Sequence, residues 1–446
     1  MQNILPEWRK KAMSLFDRYK ETFPLSAAEY AKASELFPGG VCHDIRRFDP
    51  FPFVTDSAEG AYLQTIDGVT LLDLWCGHYG NILGHASPET AAALREAAEN
   101  GTHTGTLNEQ QIKLASLIKS AVPEMELMRF CTSGTEATMY AVRTAKAYTG
   151  RELVVKIEGG WHGANSELSY DIKPPFNRLT GKGGTISLPF NNMEATADVL
   201  EKIGDNAAAV IIEPVIGAGG GIPAKKEYLQ LLRDFCDRTG TVLIFDEVIT
   251  GFRFRFGSIS PLIGVTPDMF TMGKIIGGGL AIGAYGGKKE IMQTITEKKI
   301  VVGGGTFSAS PVTMNAGFNT LSTLKNADYE TLNAQGNTIR ERLKKSVARY
   351  THKACVTGFG SFFFVHFLNE VPQEVTCRPS RLLPVMDAET DRLFKIAMIL
   401  NGVFTMHSGG ALSFSHLQTA GVSDIIIKAY EDSLEAVFNE GRKALP

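Results

Sequence analysis

The sequence predicts an α/β protein built around a mainly parallel sheet with helices on both faces. Between residues 110 and 290, short apolar runs alternate with longer amphipathic stretches. The runs are apolar along most of their length and bounded by glycine, which is typical of parallel strands buried on both faces. With 446 residues, the chain is long enough for one large domain and a smaller companion.

The predicted elements follow one another in a regular order. Strands are predicted at 127–132, 152–157, 208–214, 241–248, 269–273 and 282–287. Amphipathic helices are predicted between them, for example at 135–150 and at 224–240. Because functional groups gather at the carboxyl ends of parallel strands, the residues that follow these strands are the first candidates for a site.

The two ends of the chain differ from this central pattern. The N-terminal segment opens with a charged helix and continues through a stretch rich in proline and glycine. The C-terminal segment contains a helix at about 329–350, a strand within 358–368 and a closing helix over 422–445. We therefore expect a large domain at 61–320 and a smaller α+β domain in which 1–60 and 321–446 pack together.

Composition and charge exclude several classes of protein. A hydrophobic fraction of 44% and a charged fraction of 21% are those of an ordinary globular chain. The formal net charge of -3 gives no reason to expect nucleic acid as a partner, and no window is apolar enough for a membrane span. The N-terminus lacks the features of a secretory signal, and the six singly placed cysteines form no metal-binding pattern. We therefore expect a cytoplasmic protein without a metal.

Three candidate binding groups lie at the ends of predicted strands, and their chemical functions complement one another. Asp246 follows four apolar residues, where it is either a structural ion pair or cap, or a counter-ion for a charged ring nitrogen. The turn Ser133-Gly134-Thr135 leads into a helix and is either an ordinary N-cap or a phosphate cradle. Lys274 stands between a short apolar strand and a glycine run. It is either a surface lysine or an amine desolvated enough to attack an aldehyde.

Together these three groups match the three parts of pyridoxal 5′-phosphate (PLP) that a protein binds. An amine holds its aldehyde, a carboxylate holds its pyridinium nitrogen, and an anion cradle holds its phosphate. Trp161 offers a ring to stack on the pyridine, with core packing as the alternative, and the adjacent His162 is either structural or catalytic. A dinucleotide site fits less well, because Ile222 and Ile282 stand where G-x-G-x-x-G requires its last glycine.

Several stretches, in the same order along most of the chain, resemble the class III pyridoxal-phosphate aminotransferases. Within that family the chain is similar to the glutamate-1-semialdehyde 2,1-aminomutase subgroup. The stretches are "PGGV" (38–41), "ILGHASP" (82–88), "SGTEATMYAVRTAKAYTGR" (133–151), "EGGWHG" (158–163), "IIEPV" (211–215), "IFDEVITGFR" (244–253), "GVTPDMFTMGKIIGGGLAIGAYGG" (264–287) and "GGTFSASPVTMNAG" (304–317). The resemblance implies a fold-type I aminotransferase with a mainly parallel seven-stranded sheet covered by helices and a smaller α+β domain.

The resemblance implies roles for residues around the cofactor. Lys274 matches the Schiff-base lysine, Asp246 the partner of the pyridine nitrogen, and Val248 a residue packed against the ring. Trp161 stands where the family usually has a stacking tyrosine, with His162 beside it. The phosphate loop matches Ser133, Gly134 and Thr135.

Other matches extend the implied site. Thr306 matches a residue that reaches the phosphate of the neighbouring subunit's cofactor, which implies a homodimer with shared active sites. Glu213 and Asn191 resemble polar residues near the ring and the substrate. Their alternative is that they are satisfied polar groups without a direct role.

The resemblance is looser for the residues implied to bind substrate. Arg46 falls on the aminomutase arginine that grips a substrate carboxylate, with Arg47 beside it as a competitor. His78 occupies the place of an aromatic residue of the aminomutase pocket, and Tyr79 follows it. Ser408 stands where the aminomutase has a gating glutamate. These departures change the shape and charge of the pocket and leave the cofactor residues untouched.

The resemblance also implies the reaction. We expect a PLP-dependent aminotransferase that moves an amino group between an amino acid or amino-carboxylate and an oxo acid through a Schiff base on Lys274. The alternative within the family is glutamate-1-semialdehyde 2,1-aminomutase, which transfers the amino group within one molecule for tetrapyrrole precursor synthesis. A more distant alternative is a non-catalytic protein that binds the same cofactor.

Overall fold

The structure is a computed structural model that describes residues 14–171, 184–217, 219–299, 301, 303–370 and 385–440. The first part of the predicted N-terminal helix, Cys377 and the end of the predicted closing helix lie outside the described residues.

The strands, numbered in chain order, are β1 Thr55–Glu59, β2 Tyr62–Thr65, β3 Thr70–Asp73, β4 Leu127–Cys131, β5 Leu153–Ile157, β6 Thr185–Leu188, β7 Ala207–Ile212, β8 Val215–Ile216, β9 Ile222–Pro223, β10 Val242–Glu247, β11 Met269–Gly273, β12 Gly283–Gly287, β13 Ala354–Thr357, β14 Phe362–Phe367, β15 Val403–Phe404 and β16 Gly409–Ala411. The α-helices are Leu15–Thr22, Pro24–Leu36, Pro88–Asn100, Glu109–Ala121, Gly134–Thr149, Met193–Ile203, Lys226–Thr239, Ser260–Ile263, Lys289–Glu297, Pro311–Leu324, Tyr329–Tyr350, Ala388–Leu400, Phe414–Leu417 and Val422–Glu435, and Cys76–Tyr79 is a single left-handed turn. Short 3-10 turns lie at Pro38–Gly40, Asp44–Arg46 and Lys274–Gly277, and Ala436–Glu440 is a π-helical turn.

The central sheet has seven strands in the order β4-β12-β11-β10-β7-β5-β6. Strand β12 runs antiparallel to both of its neighbours, whereas the other neighbouring pairs are parallel. The predicted α/β fold with a mainly parallel seven-stranded sheet is confirmed. The six predicted strands are all present, and β6 is an edge strand that the sequence analysis did not identify.

Strands β7 and β10 show why the sheet is buried on both faces. Every residue of the two strands is buried. Along β7, Val210 and Ile212 join one apolar cluster, while Ala209 and Ile211 join a second cluster on the opposite face. Because alternate side chains point to opposite faces of a strand, such continuous apolar runs require helices on both sides of the sheet.

Local capping chemistry sets where the helix Gly134–Thr149 begins and ends. The Ser133 hydroxyl accepts a hydrogen bond from the backbone N–H of Glu136 at 3.2 Å, which satisfies one of the free donors of the first turn. At the other end Gly150 adopts φ 71°, the left-handed conformation that commonly stops a helix. The N-terminus of this helix follows directly after β4 and therefore lies at an end of the central sheet.

The two ends of the chain share one small sheet and one apolar core, and the C-terminal segment forms a second small sheet. One sheet has the order β1-β2-β3-β15, in which Val403 and Phe404 pair in parallel with Leu72 and Asp73. The second has the order β13-β14-β16. The first sheet continues past residue 60, and the domain boundaries at 60 and 320 stay predictions.

None of the described helices is long and apolar enough to pass through a membrane.

Candidate active site

A cavity of about 140 Å³ opens at the carboxyl ends of strands of the central sheet. The cavity is lined by eight of the predicted site residues together with Gly163, Ile249 and Ile282. The eight are Gly134, Thr135, Trp161, His162, Glu213, Asp246, Val248 and Lys274. The structure thus brings together groups that lie up to about 140 positions apart in the sequence.

Lys274 is the first residue after β11 and is half-buried. Its φ of 48° lies in the left-handed region, which is uncommon for a residue with a side chain and is found mainly at functional sites. Burial lowers the pKa of the Lys274 ammonium, while the charges of Asp246 and Glu213 raise it and Arg253 lowers it further. The net decrease increases the share of neutral amine, which is the nucleophilic form.

Asp246 is buried, with 3% of its surface exposed, at the end of β10. Its Oδ1 accepts hydrogen bonds from the Thr271 hydroxyl at 3.0 Å and from the backbone N–H of Val248 at 3.1 Å. Its Oδ2 lies 2.8 Å from Nδ1 of His162. These three partners fix the carboxylate in a single orientation at the wall of the cavity.

His162 supports Asp246 from a fully buried position. Burial lowers the pKa of the imidazole even though Asp246 acts in the opposite direction, so the ring is neutral. We assign the proton to Nδ1, which then donates to Asp246, because the carboxylate needs a donor there. Nε2 is buried without a hydrogen-bond partner among the described residues.

The N-terminus of the helix Gly134–Thr149 forms another part of the cavity wall. A Cβ at Gly134 would stand 2.9 Å from Cγ1 of Val248, and a Cβ at Gly163 would collide with Thr135. The absence of side chains at these two positions lets backbone N–H groups and the positive helix end face the cavity. Ser133 serves as the N-cap, so its hydroxyl is engaged with its own helix.

Glu213 holds the loop that carries Trp161. Its Oε1 accepts from the backbone N–H of Trp161 at 2.8 Å, and its Oε2 accepts from that of Gly217 at 3.1 Å. The carboxyl group is only 3% exposed. Burial, and secondarily the charge of Asp246, raise the pKa of Glu213.

This raised pKa predicts a pH dependence for the stability of the cofactor-free chain. Above the ordinary pKa of 4.5, the folded chain keeps a proton on Glu213 that the unfolded chain releases. The associated stability is present at low pH and is lost as the pH rises through the raised pKa. We expect the free energy of unfolding of the wild type to fall, relative to that of Glu213→Gln, as the pH rises above 4.5. Denaturant titrations at a series of pH values measure this difference, and parallel curves for the two chains would contradict it.

Three predicted residues lie away from the cavity wall. The Asn191 side chain donates to the carbonyl of Pro223 at 3.1 Å and accepts from the N–H of Lys225 at 2.7 Å. The hydroxyl of Ser408 donates to Asp391, and Thr306 is exposed.

The predicted substrate residues Arg46, His78 and Tyr79 do not line the cavity, but Gly80, which follows Tyr79, packs against Lys274. Arg46 donates from Nε to Nε2 of His78 at 3.3 Å. Tyr79 is buried, and its carbonyl accepts from the buried guanidinium of Arg253. Arg47 is exposed and lies near Gly39.

Two residues that shape the site, Thr271 and Gly163, were not predicted from the sequence. Thr271 pairs with Asp246 across the neighbouring strands β10 and β11, which places its hydroxyl on the carboxylate. The sequence did carry a signal for Thr271, because it is the only hydroxyl residue in the otherwise apolar strand β11. Gly163 has no comparable signal, because the need for glycine there comes from Thr135, which precedes it by nearly 30 residues.

The lining residues fit PLP. The cavity offers a lysine amine, a buried carboxylate, an indole ring and a helix N-terminus, and each suits a different part of that molecule. The fold and the site therefore define an α/β enzyme that uses PLP. The chain belongs to the class III aminotransferase family, since the model of that family matches residues 45–409.

The chain is also similar to individual proteins of known name and structure. The chain is 40% identical over 362 residues to glutamate-1-semialdehyde 2,1-aminomutase of Methanopyrus kandleri, a match that covers 78% of this chain and 84% of the relative. A transaminase solved with PLP bound is 30% identical, with a TM-score of 0.84 and coverage of 94% of this chain and 99% of that one. The β-phenylalanine aminotransferase of Variovorax paradoxus is 27% identical, with a TM-score of 0.88 and coverage of 96% and 98%.

Proposed function

We propose that the protein transfers an amino group from an amine that carries a carboxylate to an oxo acid. The observation that carries this proposal is the shared cavity, in which the Lys274 amine and the buried carboxylate of Asp246 accompany the N-terminus of a helix. A surface lysine or an ordinary ion pair explains neither the burial of these groups nor their convergence.

The roles follow from the chemistry of each group. Bound PLP supplies an electron sink for the electron pair left at the substrate carbon. The Lys274 amine would hold the aldehyde of the cofactor, and as a free base it would move the proton at the substrate carbon. Asp246 would keep the ring nitrogen protonated, with His162 and Thr271 holding its carboxylate. Trp161 and Val248 would lie beside the ring.

The remaining site residues hold the phosphate and the substrate. Residues 133–135 bind phosphate through backbone N–H groups at the helix N-terminus. Arg46 binds the substrate carboxylate, and Tyr79 shapes the pocket through its backbone. Asn191 acts by fixing the backbone of Pro223 and Lys225, and Ser408 acts by holding the side chain of Asp391, consistent with the partners of their side chains.

A second candidate is the aminomutase reaction, which curated relatives that are 36–40% identical over most of the chain support. One departure in the sequence argues against it, because Ser408 stands where the resemblance implies a gating glutamate, and its hydroxyl is bonded to Asp391.

One experiment separates the two reactions. The purified protein is incubated with glutamate 1-semialdehyde alone, and in parallel with β-phenylalanine and 2-oxoglutarate. We expect product only in the second reaction, measured as glutamate formed. Efficient formation of 5-aminolevulinate without an added acceptor would instead establish the mutase. A chain that binds PLP and converts no substrate of a broad amine panel would favour the non-catalytic alternative.

We further propose a cytoplasmic homodimer. Free cysteines support the cytoplasmic location, because disulfides are rare in the reducing cytoplasm. The five described cysteines are all free: Cys42, Cys76, Cys131, Cys236 and Cys355. Exposed apolar side chains beside Thr306 support the dimer: Phe307 is 62% exposed and contacts the ring of His103, and Leu107 is 79% exposed.

If the exposed surface around Phe307 forms the dimer interface, a charged residue placed there should disrupt the dimer. We expect Phe307→Asp to shift the protein from dimer to monomer and to weaken retention of PLP, because Thr306 no longer reaches a partner's site. Light scattering after size-exclusion chromatography measures the mass. Ile425→Asp, an equally charged change at another exposed apolar residue, is the control and should remain dimeric.

A further inference from the structure

Residues Cys76 to Tyr79 form a left-handed turn beside the cavity. Their φ angles are 47°, 58°, 59° and 66°, and only Gly77 among the four adopts such values without steric cost. Consecutive strained residues persist only where the surrounding structure fixes them, and they cluster at functional sites. The turn therefore holds its side chains in set positions.

Three residues, Asp73, Arg253 and Lys274, hold the turn in place. The Asp73 carboxylate accepts from the backbone N–H groups of Trp75 at 2.8 Å and Cys76 at 3.1 Å. The buried guanidinium of Arg253 donates to the carbonyl of Tyr79. Gly80 packs on Lys274, since a Cβ at Gly80 would stand 3.8 Å from Cβ of Lys274. The position of His78 is thus tied to the position of the reactive amine.

The imidazole of His78 is held as a neutral acceptor. Its ring lies 4.7 Å from that of Trp75 and 5.1 Å from that of His43, measured between centroids. Burial, together with the charges of Arg46, His43 and Lys274, lowers the pKa of His78 to about 4. At neutral pH its Nε2 can therefore accept the hydrogen bond from Nε of Arg46 at 3.3 Å.

We propose that His78 is a positioning residue that holds the guanidinium of Arg46 for a substrate carboxylate. The bond to His78 uses Nε, and in the part of the chain that the structure describes no protein group bonds to the two terminal nitrogens of Arg46. These nitrogens form the planar pair that binds a carboxylate in a bidentate manner. The inference rests on the proposed amino transfer and on the role of Arg46 in it.

The test compares two amines that differ mainly in the carboxylate, β-phenylalanine and 1-phenylethylamine, with the PLP-loaded protein. We expect His78→Phe, which removes the acceptor, to raise KM for β-phenylalanine about fivefold, the value of one hydrogen bond, without changing kcat. The kinetics of 1-phenylethylamine should not change. His78→Gln keeps an acceptor near the position of Nε2 and should retain the wild-type KM.

A double-mutant cycle shows whether His78 acts through Arg46. In an Arg46→Ala background, His78→Phe should have no further effect on KM, because the guanidinium it positions is gone. An equal effect in both backgrounds, or equal effects on both amines, would overturn the inference. If His78→Phe does not fold, His78→Asn repeats the test. Asparagine readily adopts left-handed backbone, and its shorter side chain moves the acceptor away from the Nε2 position.

A binding measurement separates failure of this inference from failure of the proposed function. The unreactive carboxylate 3-phenylpropanoate is titrated into the same proteins by calorimetry. We expect about fivefold weaker binding to His78→Phe than to the wild type, whether or not the wild type turns over β-phenylalanine. Unchanged binding, or no binding to the wild type, refutes the role of His78. Wild type that binds the probe without turning over any amine refutes only the proposed function.

Discussion

Replacing Lys274 with alanine is expected to abolish amino transfer and to leave a folded chain. Lys274 is the sole lysine among the cavity-lining residues that the structure describes. Its loss removes both the amine that binds the aldehyde and the base that moves the substrate proton, which we expect to lower kcat more than about a thousandfold. The rate of a single half-reaction, followed by the absorbance of the bound cofactor, measures the effect.

Lys156 provides a matched control for this prediction. It is fully buried on β5, and its ammonium donates to the carbonyls of Gly160 and Tyr170. After borohydride reduction, mass spectrometry should find the pyridoxyl group on Lys274 in the wild type and in Lys156→Met. It should find none on Lys274→Ala. Turnover of Lys274→Ala near the wild-type rate, or labelling of another lysine, would falsify the assignment.

The central sheet could be predicted from the sequence because its strands carry their signal locally. Strand β7 is a continuous apolar run, and β10 and β11 are apolar apart from Asp246, Glu247 and Thr271; burial on both faces demands such runs. Strand β6 lacks this signal, since it is a four-residue edge strand with three residues only partly buried. The pairing of β15 with β3 joins segments more than 300 residues apart, and no local pattern encodes it.

The cofactor side of the site was predictable for a related reason. Strand ends, a glycine turn and a lone lysine are visible in sequence, and the parallel sheet brings its carboxyl ends together. The substrate side depends on conformation that the sequence does not reveal. His78 lies in a left-handed turn, and Ser408, whose own φ is 50°, donates its hydroxyl to Asp391. A residue type alone does not report backbone of this kind.

Asp246→Asn is expected to lower kcat by about 10²- to 10³-fold while changing the size of the side chain very little. The amide carries no charge, so it stabilises a protonated ring nitrogen poorly and weakens the electron sink. In either orientation its NH2 group faces a donor: Nδ1–H of His162 at the Oδ2 position, unless that proton moves to Nε2, or the backbone N–H of Val248 at the Oδ1 position. Since Nε2 is buried without a partner among the described residues, that tautomer gains no hydrogen bond.

The charge of Asp246 can be separated from its hydrogen bonds by a second variant. Thr271→Val removes the hydroxyl that donates to Oδ1 at 3.0 Å and leaves the carboxylate in place, so we expect a loss of only about fivefold. With cofactor labelled at its ring nitrogen, the ¹⁵N chemical shift should report a protonated nitrogen in the wild type and in Thr271→Val, and an unprotonated one in Asp246→Asn. A protonated nitrogen in all three proteins would show that another group supplies the charge. Equal losses in the two variants would mean that Asp246 contributes through hydrogen bonding alone, because only the asparagine removes a full negative charge.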